Sequence, residues 1–356
     1  TADHVALIAF EPEEESPIVF LRLNKNFKKR GLKVTSVATK QSIAMDKLKA
    51  DFIKVAPGAE GTAVAALSLT TKSVILVGER ASETPGLFSA VAALATKSGA
   101  KLAYIPRRAG ERGALEAGAI GNLLPGGRPV SDAAARVDIA AAWGVESLPT
   151  TLGRTTSEII SALAQGELDS VVVGGVDAHD LHHGTQALDA LKKTFVVSLE
   201  IAPSSITSVA DVVLPVAAIT EKSGSFLNWE GRARAFDEAV ADSLNRSDVR
   251  ILSMIADAMG ESIMLGTVTA SAREFNQLGK WDGARAELTA VSAASVKSVS
   301  GNEALLTSWR RLLDMGSLQK GEDNLAGTRR PTVVVISPKR AESIGVTTGT
   351  QVRVSN

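Results

Sequence analysis

The sequence predicts an α/β fold built on a doubly wound, mostly parallel sheet. Short apolar runs rich in β-branched residues, at 5–10, 73–77 and 170–173, alternate with segments of helical periodicity. Runs that are apolar at every position are strands covered on both faces, the habit of parallel sheets in βαβ units. Composition agrees: 45% hydrophobic residues, 30 glycines and only 4% aromatic residues over 356 positions suit stacked layers of helix and sheet.

Residues 5–10 form the first predicted strand, followed by the acidic loop EPEEES. Ser16 is suited to cap a helix and Pro17 to its first position. Phe20, Leu23 and Phe27 then recur at helical spacing, and Gly31 ends the helix. Arg22, Lys25, Lys28, Lys29 and Arg30 make its outer face basic, read as a solvated face with an acidic partner as the alternative. Further strands are predicted at 34–38, 73–77, 102–105, 170–173, 195–199 and 212–214, with helices at 86–97, 156–164 and 185–192 among them. Together these make one doubly wound domain over residues 1–240.

Residues 241–330 read as a helical and linker region. Ser247 caps a helix over 248–259 with Leu252, Ile255 and Met259 on one stripe and Gly260 at its end. Trp309, Leu312 and Leu313 suggest one more short helix, and GEDNLAGTRRP a linker. After Pro331, two β runs flank a short helix and a Gly349 turn, so 331–356 reads as the opening of an incomplete domain that does not fold alone. The sequence starts at Thr1 rather than Met and stops on a strand-like run at Asn356, and is expected to be a piece of a longer polypeptide.

Charge and composition exclude several functions. Lys plus Arg equals Asp plus Glu at 39 each, which gives no global field for nucleic acid or an anionic membrane. No apolar run reaches the ~18 residues of a membrane-spanning helix. Cysteine is absent, which removes disulfides and thiolate clusters from this segment. His179, His182 and His183 share a loop with Asp177 and Asp180; without a strand or helix to fix geometry it reads as solvated, metal ligation being the alternative. No nucleophile–base set stands out, so no catalytic residue is assigned. Val77-Gly78-Glu79 and Val173-Gly174-Gly175 end strands as nucleotide sites do, yet neither makes G-x-G-x-x-G and no Walker lysine follows.

The densest set of candidate binding residues follows the strand-like run at 210–216. Glu221, Gly224, Asn228, Glu230, Gly231 and Arg232 fall within twelve residues. Ligands of open α/β sheets bind beyond the carboxyl ends of strands. Glycine permits close backbone approach there, and Asn, Glu and Arg can read polar groups. The alternative is a loop that caps its own sheet.

The stretch ADVVLPVAAITEKSGSFLNWEGRARAF, at 210–236, resembles the molybdopterin oxidoreductase family. Its NWEGRARAF form is similar to the branch that supplies the G subunit of bacterial NADH–quinone oxidoreductase (respiratory complex I), in an actinobacterial-like version. ERGALEAG at 111–118, LLPGG at 123–127, Trp143-Gly144, Leu148-Pro149 and Gly153-Arg154-Thr155 follow the family's order. The resemblance implies a molybdopterin-oxidoreductase-like domain and, after Pro331, the start of a double-psi β-barrel.

The departures from the family are as informative. Formate dehydrogenases and their relatives have a Gly-Glu-Asn-Pro turn that helps hold a pterin dinucleotide; here Gly174, Gly175, Val176 and Asp177 stand in its place. Ser205, Ile206 and Thr207 replace Glu-Thr-Ala. The eight residues Gly174, Gly175, Glu221, Gly224, Asn228, Glu230, Gly231 and Arg232 are therefore read as a degenerate family motif. No cofactor or metal is expected in this segment. Arg232 is expected to pair with Glu221 or Glu230, and Phe226 and Trp229 to pin the loop by burial.

By resemblance, the segment is a redox-silent part of the peripheral arm, on the cytoplasmic side of the membrane. Its expected partners are other peripheral-arm subunits of complex I, with no nucleic acid and no direct membrane insertion. Iron–sulfur clusters belong to an N-terminal region outside it. A fragment of a catalytic molybdenum or tungsten enzyme such as formate dehydrogenase, and an unrelated Rossmann-like module, are the other readings.

Overall fold

The computed structural model describes residues 2–354 except 264, 288, 294, 295, 297 and 302. The chain divides into two compact units, 1–105 with 289–356, and 106–288. The single unit expected over 1–240 is not what forms; its strands fall into separate sheets.

Among the described residues the first unit holds five strands: β1 (His4–Ile8), β2 (Lys33–Ala38), β3 (Asp51–Lys54), β4 (Ser73–Gly78) and β5 (Lys101–Ile105). Their order is β3-β2-β1-β4-β5 and every pairing is parallel. The chain winds outward from β1 through β2 and β3, then crosses to β4 and β5 on the other side. The reversal falls between β1 and β4, the topological switch point at which open α/β sheets bind ligands.

Alternation within the strands explains the layers. Ala6, Ile8, Ile75 and Val77 are buried with Val64 of α4 (Glu60–Ala65) and with Leu87, Val91 and Leu94 of α5 (Leu87–Ser98). Leu7 and Leu76, on the opposite face by the two-residue period, are buried as well, so both faces are covered. The helix expected after the acidic loop is α2 (Pro17–Arg30), preceded by the single-turn α1 (Pro12–Glu15). Gly31 ends α2 at φ 65°, and the five basic residues of its outer face are exposed. Ser16 stands at the cap position, but its hydroxyl makes no capping bond. α3 (Ile43–Lys47), α4 and β3 give no signal in the sequence, because each is too short to show a period.

The second unit carries β8 (Ser170–Gly174), β9 (Phe195–Glu200) and β10 (Val212–Pro215) in the order β10-β9-β8, all parallel. α8 (Thr156–Gln165) and α9 (Gly184–Leu191) supply Leu163, Ala190 and Leu191 to a core with Val196, Ala178 and Ile206. α10 (Asp248–Ala258), capped by Ser247 as expected, packs Ile251 against Leu199 and Val216. A short pair, β6 (Leu123–Leu124) with β7 (Arg128–Pro129), and a hairpin, β11 (Gly224–Leu227) with β12 (Ala233–Phe236), complete its strands. α6 (Glu111–Glu116), α7 (Ala133–Trp143) and α11 (Val268–Leu278) complete its helices.

Two expectations for the C-terminal third fail. No helix forms around Trp309; its ring lies 4.9 Å from the Arg80 guanidinium instead. Among the described residues after Pro331, only α13 (Pro338–Ser343) is regular, and the runs at 332–336 and 351–354 are not strands. Val333, Val334, Val335, Val352 and Val354 are exposed. A strand without a neighbour has no ladder to hold it. α12 (Asp323–Ala326) falls in the stretch read as a linker.

Candidate functional site

The degenerate-motif residues do not converge. Gly174 ends β8, and Gly175 turns the chain at φ 65°, donating its amide to the Leu199 carbonyl at 3.2 Å. Two residues on, Asp177 Oδ1 accepts the Ser205 hydroxyl at 2.6 Å and the His179 amide at 3.0 Å. Ser205 Oγ in turn accepts the Ala178 amide at 3.0 Å. The two stretches that depart from the family pattern, 174–177 and 205–207, are thus bonded to each other. The Ser205 hydroxyl first, and the His179 amide next, hold the Asp177 carboxyl down at about 2. His182 and His183 are exposed with their rings edge to face. Among the described residues no group of three or more His, Cys, Asp and Glu is placed to hold a metal.

Glu221 is bonded elsewhere. Its carboxylate accepts the Ala218 amide at 2.8 Å, the Ser243 hydroxyl at 2.8 Å and the Asn245 amide group at 3.0 Å. The Ala218 amide, then Asn245 and Ser243, lower its pKa. Asn228, Glu230, Gly231 and Arg232 form the turn of the β11–β12 hairpin. Asn228 Oδ1 accepts the amides of Glu230 and Arg232 at 3.0 and 2.9 Å, and Gly231 takes φ 78°. Gly224 lies across the hairpin, where an added Cβ would stand 2.7 Å from the Phe236 ring that Phe226 stacks on.

Of the two partners expected for Arg232, the structure gives Glu230 and not Glu221. Glu221 is held by Ser243 and Asn245, and Arg232 meets Glu230, at 3.6 Å, with 62% of its side chain exposed. Phe226 and Trp229 are half-buried rather than buried.

The first unit holds a denser cluster at the β1/β4 switch point, which sequence reasoning missed. After β1, Ala9 takes φ 46° and leads through Phe10 to Glu11 and α1. Glu11 and Glu15 are 1% and 6% exposed. Arg80, just beyond β4, donates from Nε to Glu15 Oε1 at 2.9 Å, and the same oxygen accepts the Glu11 amide. The Oε2 atoms of both glutamates are buried without a hydrogen-bond partner among the described residues. Burial pushes both carboxyls up, against the Ser42 and Glu13 bonds to Glu11 and against Arg80 at Glu15. Gly78 seals the floor: an added Cβ would lie 2.7 Å from the Ala9 carbonyl and 3.0 Å from Glu15 Oε2.

The site has two sequence signals, the acidic loop after β1 and Val77-Gly78-Glu79 after β4. Nothing in a single sequence says that those two strands are neighbours.

The sequence pattern of molybdopterin oxidoreductases matches residues 1–258. The chain belongs to the molybdopterin oxidoreductase family. Within it, the chain is 45% identical to the G subunit of NADH-quinone oxidoreductase from Mycobacterium tuberculosis, over 100% of its own length and 46% of that protein. The G subunit from Streptomyces coelicolor is also 45% identical, over 98% of the chain and 44% of that protein. The likeness to formate dehydrogenase H of Escherichia coli is 35% and covers 42% of the chain. The chain spans about half the length of the two G subunits it matches.

Proposed function

We propose that this chain is a structural, redox-silent part of the G subunit of an NADH–quinone oxidoreductase and carries no molybdopterin. The observation that carries the reading is likeness to such G subunits at 45% identity along the whole chain, where the likeness to formate dehydrogenase H stops at 42% of it. Two features support the absence of a pterin. The substituted turn and the substituted loop bond each other through Asp177 and Ser205. At the other sheet, the switch point is lined by carboxyls, which disfavour a phosphate-bearing ligand.

In this reading the chain serves as scaffold in the peripheral arm, on the cytoplasmic side of the membrane, against other peripheral-arm subunits. No described helix is long and apolar enough to cross a membrane. The iron–sulfur clusters of such a subunit would be held by another part of the polypeptide, since this part has no cysteine. Residues from Pro331 onward would open a double-psi β-barrel whose remaining strands supply the missing ladder partners. The alternative, a fragment of a catalytic molybdopterin enzyme, lacks the Glu and Asn of the family turn.

Affinity purification through a tag on the native protein tests the assignment. The tagged protein is expected to co-purify with NADH-oxidising, quinone-reducing activity. A tagged protein that carries formate-oxidising activity instead, or no partner subunits, would overturn it.

A further inference from the structure

The switch-point crevice is not open, and what closes it belongs to the same chain. Glu79 and Glu83 lie on the single turn after β4 (Glu79–Glu83), and Glu14 on α1 after β1, so the carboxylates of Glu11, Glu14, Glu15, Glu79 and Glu83 ring the ends of two adjacent strands. Arg310 reaches two of them, Nε to Glu79 Oε1 and Nη2 to Glu83 Oε1, both at 3.1 Å. Ser308 Oγ donates to Glu83 Oε2 at 3.3 Å, and the Leu312 amide to Glu14 Oε2 at 2.9 Å. Arg330 adds a contact to Glu14 Oε1 at 3.2 Å. Between these, the Trp309 ring stacks against the Arg80 guanidinium at 4.9 Å, with Lys40 Nζ 5.8 Å from the ring centroid.

The chemistry of the contacts defines the occupant. A guanidinium fork satisfies two carboxylates with directed, charge-assisted bonds. An indole face accepts the Arg80 guanidinium. A backbone amide donates to a third carboxylate, that of Glu14. Phosphate supplies none of these and meets five carboxyls.

We propose that the β1/β4 switch point is a docking site for a short basic-aromatic peptide, and that residues 308–312 occupy it in cis. The crevice where this fold class takes a small ligand has become a clasp that ties the 289–356 arm to the sheet of its own unit. The site recognises Trp-Arg followed by an amide donor two residues on.

A fluorescent peptide spanning residues 304–315 tests this by competition with the tethered segment. The wild-type chain should bind it weakly, because its own segment is present at high effective concentration. The W309A/R310E chain should bind it at least tenfold more tightly, with affinity falling as salt rises, and adding Glu83→Gln should remove the gain. Equal binding to both chains, or no binding to the W309A/R310E chain, would overturn the proposal. A second measurement needs no peptide: Glu83→Gln alone should speed hydrogen exchange at 308–312 in the otherwise native chain. Unchanged exchange there would equally contradict it.

Discussion

The Ser205 hydroxyl lies 2.6 Å from Asp177 Oδ1, joining the loop before β10 to the turn after β8. The turn after β8 and the loop before β10 are thereby tied to each other. Ser205→Ala removes this donor and the acceptor of the Ala178 amide together. A hydrogen bond to a charged group contributes about 1.5–3 kcal/mol, so chemical denaturation of the 356-residue chain should report a loss of about that size in the second unit. A loss below about 0.5 kcal/mol would show that the turn holds without it.

The pH response of the two units should have opposite signs. Asp177 has its folded pKa lowered to about 2, so its contribution is present above the ordinary aspartate value and is lost as pH falls toward 2. Glu11 and Glu15 have folded pKa values raised by burial, so their contribution is full below the ordinary glutamate value and is lost as pH rises through the raised values. Acidification from neutral toward about pH 3 should weaken amide protection in β8 and strengthen it in β4, while His4, whose pKa burial lowers, works against any gain in β1. Parallel changes in both units would contradict this assignment.

Arg80 and Glu15 form a buried pair, with side chains 10% and 2% exposed. Arg80→Met leaves Glu15 without its cation, and a broken buried pair costs about 3–5 kcal/mol. The loss should be larger at about pH 8 than at about pH 5, because Glu15 can take up a proton at the lower pH. Denaturation at the two pH values measures the difference; equal losses would show that Glu15 is not desolvated as described.

Gly78 is fixed by contact rather than by a positive φ. An added Cβ would press on the Ala9 carbonyl, the Phe10 Cβ at 3.2 Å and Glu15 Oε2. Gly78→Ala should cost about 1–3 kcal/mol, the usual effect of overpacking. By contrast, Arg232→Met should cost about 1 kcal/mol or less, because its partner Glu230 is met at the surface.

Much of this fold is legible in the sequence, and the reasons are local. β1, β2 and β4 are largely buried runs bounded by turn residues, whereas β8, expected to be covered on both faces, leaves Ser170, Val172 and Gly174 exposed; Gly31 and Gly99 end helices at positive φ as their positions suggest. What stays hidden depends on which strands become neighbours. Val77-Gly78-Glu79 and the EPEEES loop each look ordinary, and only the β1–β4 pairing brings Arg80 to Glu15. The cluster from Glu221 to Arg232 is visible as a cluster but not as two separate local arrangements. An Asn side chain that closes a turn and one that reads a ligand have the same place in a sequence. Trp309 reads as helical because its apolar neighbours recur, whereas Arg80 provides a cation for its ring.

The central claim is that the family fold persists here without its pterin. The most direct measurement is molybdenum and tungsten content, together with pterin fluorescence after acid oxidation, on the intact assembly purified through this chain. The account predicts substoichiometric metal and no pterin signal in preparations that turn over NADH and quinone at full rate. Stoichiometric molybdenum or tungsten with a matching pterin signal, lost on substitution within this chain, would contradict it.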